Sequence, residues 1–154
     1  MSDQRTRVLF VCIGNSCRSQ MAEAFARALG GDVMIPASAG LAPAFGVAPD
    51  TIRAMEEKDI LLRDHFPKSL RNLARIKFDL VVNMSQRPLP QVLPDDTPVR
   101  VVEWEVPDPI GMTYQEHCQV RDEIARKVME LIEELRRQPR PPEFRGQGSG
   151  RVPL

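Results

Sequence analysis

An apolar run ends in a cysteine, and an arginine and a serine follow at a fixed distance: Val8-Leu9-Phe10-Val11-Cys12-Ile13-Gly14-Asn15-Ser16-Cys17-Arg18-Ser19. A strand that breaks into a short polar loop and then starts a helix aims backbone N–H groups and a helix dipole at an anion. The amides of Ile13, Gly14, Asn15, Ser16, Cys17 and Arg18 are the candidate donors, and the Arg18 guanidinium can clamp two oxygens with its planar fork. Gly14 and Asn15 tolerate positive φ, which a tight cradle needs. Cys12 would sit under the anion in positive potential, a setting that favours thiolate over thiol, and the Ser19 hydroxyl can stabilise it further. A thiolate beneath a tetrahedral oxyanion is placed for in-line attack on the central atom. An isolated cysteine would read as a small core residue; the Gly, Asn, Arg and Ser at these offsets favour catalysis. The loop lacks Gly-Lys-Ser/Thr, so it is not a nucleotide P-loop.

The elements that must hold this loop can be read along the chain. Residues 7–12 form an apolar first strand. A helix from Arg18 to Leu29 carries Met21, Ala24, Phe25, Ala28 and Leu29 on one face, with Gly30-Gly31 as its stop. Val33 to Gly40 is a second strand, and Pro36 assigns it to a sheet edge. Leu41 to Val47 is a loop. Pro49 to Lys58 reads as a helix facing inward with Ile52 and Met55, and a weaker helix covers Lys68 to Arg75. Phe78 to Met84 is a third strand, 85–98 a proline-rich loop, and Val99 to Glu103 a fourth strand. Trp104 to Met112 is a loop around Asp108-Pro109. The capping box Thr113-x-x-Glu116 opens a last helix with Val120, Ile124, Val128, Leu131, Ile132 and Leu135 as its apolar stripe.

Strands alternating with helices over connections of this length imply a three-layer α/β domain, a parallel sheet covered by helices on both faces. Ligands in such sheets bind at the carboxyl ends of the strands. The loops after all four strands therefore gather near Cys12. One domain over residues 1–137 is expected, followed by a disordered tail at 138–154, whose four prolines, three glycines and three arginines leave little to bury.

Composition narrows the function. The chain of 154 residues has 21 basic and 21 acidic side chains and a formal net charge of zero, which argues against a nucleic-acid binder. No apolar run approaches the ~18 residues of a membrane span, and no signal peptide opens the chain. Three cysteines do not make a secreted disulfide scaffold, so a reducing, cytoplasmic setting is expected. A zinc site at Cys12 and Cys17 lacks two further ligands at usable spacing.

Cys12-x5-Arg18-Ser19 with Gly14-Asn15 and Cys17, together with Ser38-Ala39-Gly40, Asp79-Leu80-Val81-Val82 and Asp108-Pro109, resembles the low-molecular-weight protein tyrosine phosphatases and the arsenate reductases that share their fold. The resemblance spans residues 7 to 136 and implies a four-stranded parallel sheet in the order 2-1-3-4. It implies Cys12 as nucleophile, Arg18 and the loop amides as oxyanion binders, and Ser19 as the group that activates the thiol. Asn15 holds the loop's shape, and Ser38 belongs to the network behind it. Asp108 is general acid and then base; on its own, Asp108-Pro109 is only a turn signal. No cofactor and no metal are implied. The expected substrates are a phosphotyrosine protein or a small phosphomonoester, and the expected oxyanion ligands are phosphate, arsenate and vanadate.

The two activities part after the first attack, because a reductase must discharge a cysteine–arsenic adduct with further thiols. The segment after the third strand is Asn83-Met84-Ser85-Gln86, with no cysteine between Cys17 and Cys118. That favours phosphomonoester hydrolysis, with arsenate reduction by an external small thiol or a glutaredoxin-type partner as the alternative. Ser19-Gln20-Met21-Ala22-Glu23 and Gln119 to Ile124 resemble the reductases instead. The aromatic residues that in the phosphatases follow Asp-Pro are replaced by Ile110-Gly111-Met112, leaving Phe45 and Ile110 as candidate substrate walls. Cys17 reads equally as a reversible disulfide partner of Cys12 and as a packed residue. Cys118 reads as a packing residue, and His65 and His117 as surface or packing residues.

Overall fold

Alternate residues of the first strand fill two separate cores, which places the strand in the middle of the sheet. The computed structural model describes residues 3–90 and 99–137. The strands are β1 (Thr6–Cys12), β2 (Met34–Gly40), β3 (Leu80–Asn83) and β4 (Arg100–Glu103), and the helices are α1 (Arg18–Gly30), α2 (Pro49–Glu56) and α3 (Tyr114–Arg137). All neighbouring strands are parallel, in the order β2-β1-β3-β4, as the resemblance implies. Pro36 lies on β2, an edge strand, where its missing N–H is tolerated.

Val8, Phe10 and Cys12 point to one face of β1 and pack with Met21 and Phe25 of α1, Met55 of α2, and Val120, Ile124, Val128 and Ile132 of α3. Leu9 and Val11 point to the other face and meet Leu70, Phe78 and Val81. That second face is covered by a short 3₁₀ turn, Leu70–Leu73, where a helix over 68–75 was expected. Ser69 and Asn72 cap the turn reciprocally, and it ends after four residues.

α1 does not stop at Gly30-Gly31 by a left-handed cap, because Gly31 has φ −62°. The helix runs through Gly30, where a Cβ would meet Ile132 Cγ1 at 2.6 Å. The glycine there serves the close crossing of α1 and α3. Thr113 and Glu116 form the expected capping box, with Glu116 N donating to Thr113 Oγ1 at 3.1 Å and Thr113 N to Glu116 Oε1 at 3.2 Å. The expected tail at 138–154 and part 91–98 of the loop after β3 lie outside the described residues. Among the described residues no helix is long and apolar enough to cross a membrane.

Candidate active site

The parallel register carries Cys12, Gly40, Asn83 and Glu103 to the same edge of the sheet, Cys12 opposite Gly40 and Asn83 opposite Val11 and Glu103. The loop after β1 is held there by its carbonyls. Cys12 O accepts from Leu41 N (3.1 Å), Ile13 O from Ala42 N (2.8 Å), Gly14 O from Ala44 N (3.0 Å) and Ser16 O from Ala48 N (3.0 Å). Asn15 O accepts from Gln20 Nε2 at 3.1 Å, and Cys17 O from Met21 N at 2.9 Å. In a trans peptide the next N–H points opposite to the carbonyl. With every carbonyl from 12 to 17 turned outward, the amides of residues 13 to 18 face inward, an anion nest at the start of α1.

Asn15 closes the turn in the left-handed region at φ 51°, a conformation asparagine tolerates. Its carboxamide makes three hydrogen bonds. Oδ1 accepts from Lys68 N (2.9 Å) and Gln20 Nε2 (3.1 Å), and Nδ2 donates to Ser19 Oγ at 2.6 Å. Having accepted from Asn15, the Ser19 hydroxyl has its own hydrogen to give to Cys12 Sγ, 2.9 Å away. Gly40 leaves the space this needs, since a Cβ there would stand 2.7 Å from Ile13 O and 2.8 Å from Asn15 N.

The Arg18 side chain is only 2% exposed. Its Nη1 donates to Met84 O at 2.5 Å and Val106 O at 3.1 Å, which fixes the guanidinium plane from the ends of β3 and β4. Nη2 lies 3.6 Å from Asp108 Oδ2. The Asp108 carboxyl is 43% exposed, and its other oxygen accepts from Ile110 N at 3.1 Å. The structure therefore brings Cys12, Asn15, Arg18, Ser19 and Asp108 together from residues up to 96 positions apart (108 − 12).

Other expectations land elsewhere. Ser38 donates to Glu23 Oε1 at 2.5 Å, and Glu23 pairs with Arg27, so Ser38 reaches the loop only through α1. Phe45 is fully exposed (111%), next to Ala44, whose amide is tied to Gly14 O of the loop. Ile110 is also exposed, on the turn around Asp108. Cys12 and Cys17 are both free and buried. Burial pushes the Cys17 thiol above its ordinary value, and the Thr51 and Ser16 hydroxyls beside it only partly offset this. Cys118 is not a core residue: it is half-buried on α3 with Sγ 3.8 Å from Glu57 Oε2. Loss of water, with the Glu57 carboxylate, raises its thiol too. Tyr114 bonds the same Glu57 and carries the Arg53 guanidinium 3.9 Å over its ring, so it is occupied at the α2–α3 contact. His117 is buried with Nδ1 3.1 Å from Thr113 O, and His65 lies half-buried on the 61–69 loop.

Sequence reasoning missed Gln20, the Lys68 amide, the space at Gly40 and the two carbonyls that hold Arg18. Gln20 and Gly40 stood inside the quoted motifs, but their contacts cross the fold. The carbonyls leave no trace in residue type.

A parallel α/β sheet with a cysteine under an amide nest defines a class of enzymes that bind tetrahedral oxyanions at a thiol. The family model for low molecular weight phosphotyrosine protein phosphatase matches residues 7–140, and the chain belongs to this family. Arsenate reductase 2 of Staphylococcus saprophyticus is 36% identical over 134 residues, covering 85% of this chain and 98% of the relative. A solved arsenate reductase in the phosphate binding state superposes with a TM-score of 0.74 at 31% identity, covering 84% of this chain and 98% of that one. An arginine phosphatase from Geobacillus stearothermophilus superposes with a TM-score of 0.70 at 25% identity, over 86% and 94% of the two chains.

Proposed function

We propose that this chain is an arsenate reductase in which Cys12 forms an adduct with arsenate that a thiol from outside the chain resolves. The observation that carries the reading is the likeness to curated relatives named arsenate reductase over 98% of their length. This reverses the preference for hydrolysis drawn from the sequence alone.

The nest amides and Arg18 bind three oxygens, and Cys12 sulfur attacks arsenic opposite the fourth. Asp108 gives that oxygen a proton, and it leaves as water. The As(V)–sulfur adduct is then attacked at Cys12 Sγ by the external thiol. The S–As bond breaks, its electron pair stays on arsenic, and arsenite leaves with a mixed disulfide on Cys12. A second thiol attacks the mixed disulfide, forms the external disulfide and returns the Cys12 thiolate. The thiol inventory supports an outside donor. Cys17 is buried and held protonated, and Cys118 faces Glu57.

Hydrolysis of phosphomonoesters is the second reading, and one observation favours it. Asp108 stands against Arg18 with its carboxyl half in solvent, where it can protonate a leaving alkoxide or phenolate and then take a proton from water. The exposed Phe45 and Ile110 offer no stacked aromatic slot, which supports a small oxyanion over a phosphotyrosine ring. The deciding experiment measures arsenate-dependent oxidation of glutathione, of a glutaredoxin and of thioredoxin beside p-nitrophenyl phosphate hydrolysis. Arsenite release with a supplied thiol is expected. Hydrolysis with no arsenite under any thiol would establish the second reading instead.

A further inference from the structure

We propose that Gln86 is a positioning residue for oxyanion binding, acting through the guanidinium of Arg18. Arg18 owes its orientation to two carbonyls, Met84 O and Val106 O, supplied by neighbouring parallel strands just past their ends. The guanidinium plane is defined only while the two carbonyls keep their separation. Met84 N still donates to Val11 O of β1 at 2.7 Å, but backbone pairing between β3 and the β4 side ends with Trp104 N donating to Asn83 O at 3.0 Å, before either carbonyl is reached.

Gln86 spans the gap beyond that last rung. Its Nε2 donates to Trp104 O at 3.0 Å, joining the chain two residues after Met84 to the chain two residues before Val106. The residue has φ 64°, the left-handed region in which any Cβ crowds the following carbonyl. Glycine would be the unstrained choice there, so the local backbone does not account for a glutamine. Its exposure also rules out a packing role. What the side chain does is the bridge.

The rest of the turn is already held without it. Asn83 Oδ1 accepts from Ser85 N (3.0 Å) and Ser85 Oγ (2.7 Å), and Asn83 Nδ2 donates to Arg87 O at 2.8 Å. Those bonds lie within the 83–87 segment. Asn83 Nδ2 also reaches Glu103 Oε2 on β4 at 3.4 Å, level with the last rung; beyond that rung, Gln86 carries the order across to the strand-β4 side, where Val106 O and the loop to Asp108 follow. The inference concerns the oxyanion cradle, which both readings of the function share, so it stands or falls apart from the choice between them.

The test is the affinity for inorganic phosphate, measured by calorimetry on the full chain, with melting temperature recorded beside it. Gln86→Met keeps the length and removes the donor; Gln86→Gly removes the donor and the strain together. Both are expected to bind phosphate about three- to tenfold more weakly, the worth of one hydrogen bond. Their stabilities should diverge, the glycine variant melting at or above the parent and the methionine variant at or below it. Under saturating substrate the turnover number should change less than KM. Unchanged phosphate affinity in both variants would overturn the proposal. So would a loss in Gln86→Met that Gln86→Gly does not share, because strain and not the bridge would then be the cause.

Discussion

Asn15 and Ser19 lie four residues apart across the start of α1, and their 2.6 Å hydrogen bond orients the hydroxyl beside Cys12. Accepting from Asn15 leaves the Ser19 hydrogen free for Cys12 Sγ, 2.9 Å away, the direction that stabilises a thiolate. Ser19→Ala should therefore slow alkylation of Cys12 by iodoacetamide about three- to tenfold at neutral pH, the loss expected for one hydrogen bond. Asn15→Ala should do the same while also loosening the loop, seen as a lower melting temperature. Equal alkylation rates in parent and Ser19→Ala would remove the hydroxyl from the activation of the thiol.

Cys12→Ser should abolish both arsenate reduction and phosphoester hydrolysis. Asp108→Asn should slow turnover by ~10²–10⁴ while leaving phosphate binding within a few-fold, since Arg18 keeps its two carbonyl partners. Steady-state kinetics with a calorimetric titration separates the effects. A turnover number unchanged in Asp108→Asn would take the carboxylate out of the proton transfer.

If the resolving thiol comes from outside, turnover with limiting glutathione should leave glutathione on Cys12, and mass spectrometry of the trapped protein would show it. Cys118→Ser should turn over like the parent. Accumulation of a Cys12–Cys17 disulfide in place of the mixed disulfide would put the second thiol inside the loop.

Burial keeps the Cys17 proton in the folded chain at a pH where the unfolded chain releases it. The folded state then binds more protons, so this contribution to stability is full below about pH 8.5, the unfolded thiol's value, and is lost as pH climbs through the folded value. Cys17→Ala should flatten that alkaline loss in urea denaturation at pH 7 and pH 9.5. An equal alkaline decline in parent and variant would contradict the buried-thiol account.

Gly40→Ala should destabilise the chain by about 1–3 kcal/mol, the usual range for overpacking, because the methyl meets backbone atoms of Ile13 and Asn15 that side chains cannot relieve. Phosphate affinity should fall with it. A variant as stable as the parent would mean that the loop moves aside freely.

The strands and the long helices were legible because their signals are local: β-branched runs, a 3.6-residue apolar stripe in α3, the capping box at Thr113. The nest was legible because glycine, asparagine, arginine and serine at those offsets have few other uses. What failed was set by distant contacts. Lys68 to Arg75 has helical residue types but closes after one 3₁₀ turn. Gly30 looked like a stop, and the crossing of α3 made it a passage. Phe45 has the chemistry of a substrate wall, and its full exposure beside the tethered Ala44 could not be read from the sequence. Ser38, expected in the network behind the loop, bonds Glu23 on α1, a partner that residue type could not name.

The pairing of Cys12 with Gly40 makes the active loop a gauge of the sheet itself. If β2 slipped by one residue along β1, Ala39 or Leu41 would come to rest beside Ile13, and the side chain would fill the hollow that Gly40 leaves. Such a slip would also exchange the two faces of β2. A chain with the edge strand misregistered would thus be inactive from the outset, and recovery of oxyanion binding on refolding would report that the edge strand has locked into register.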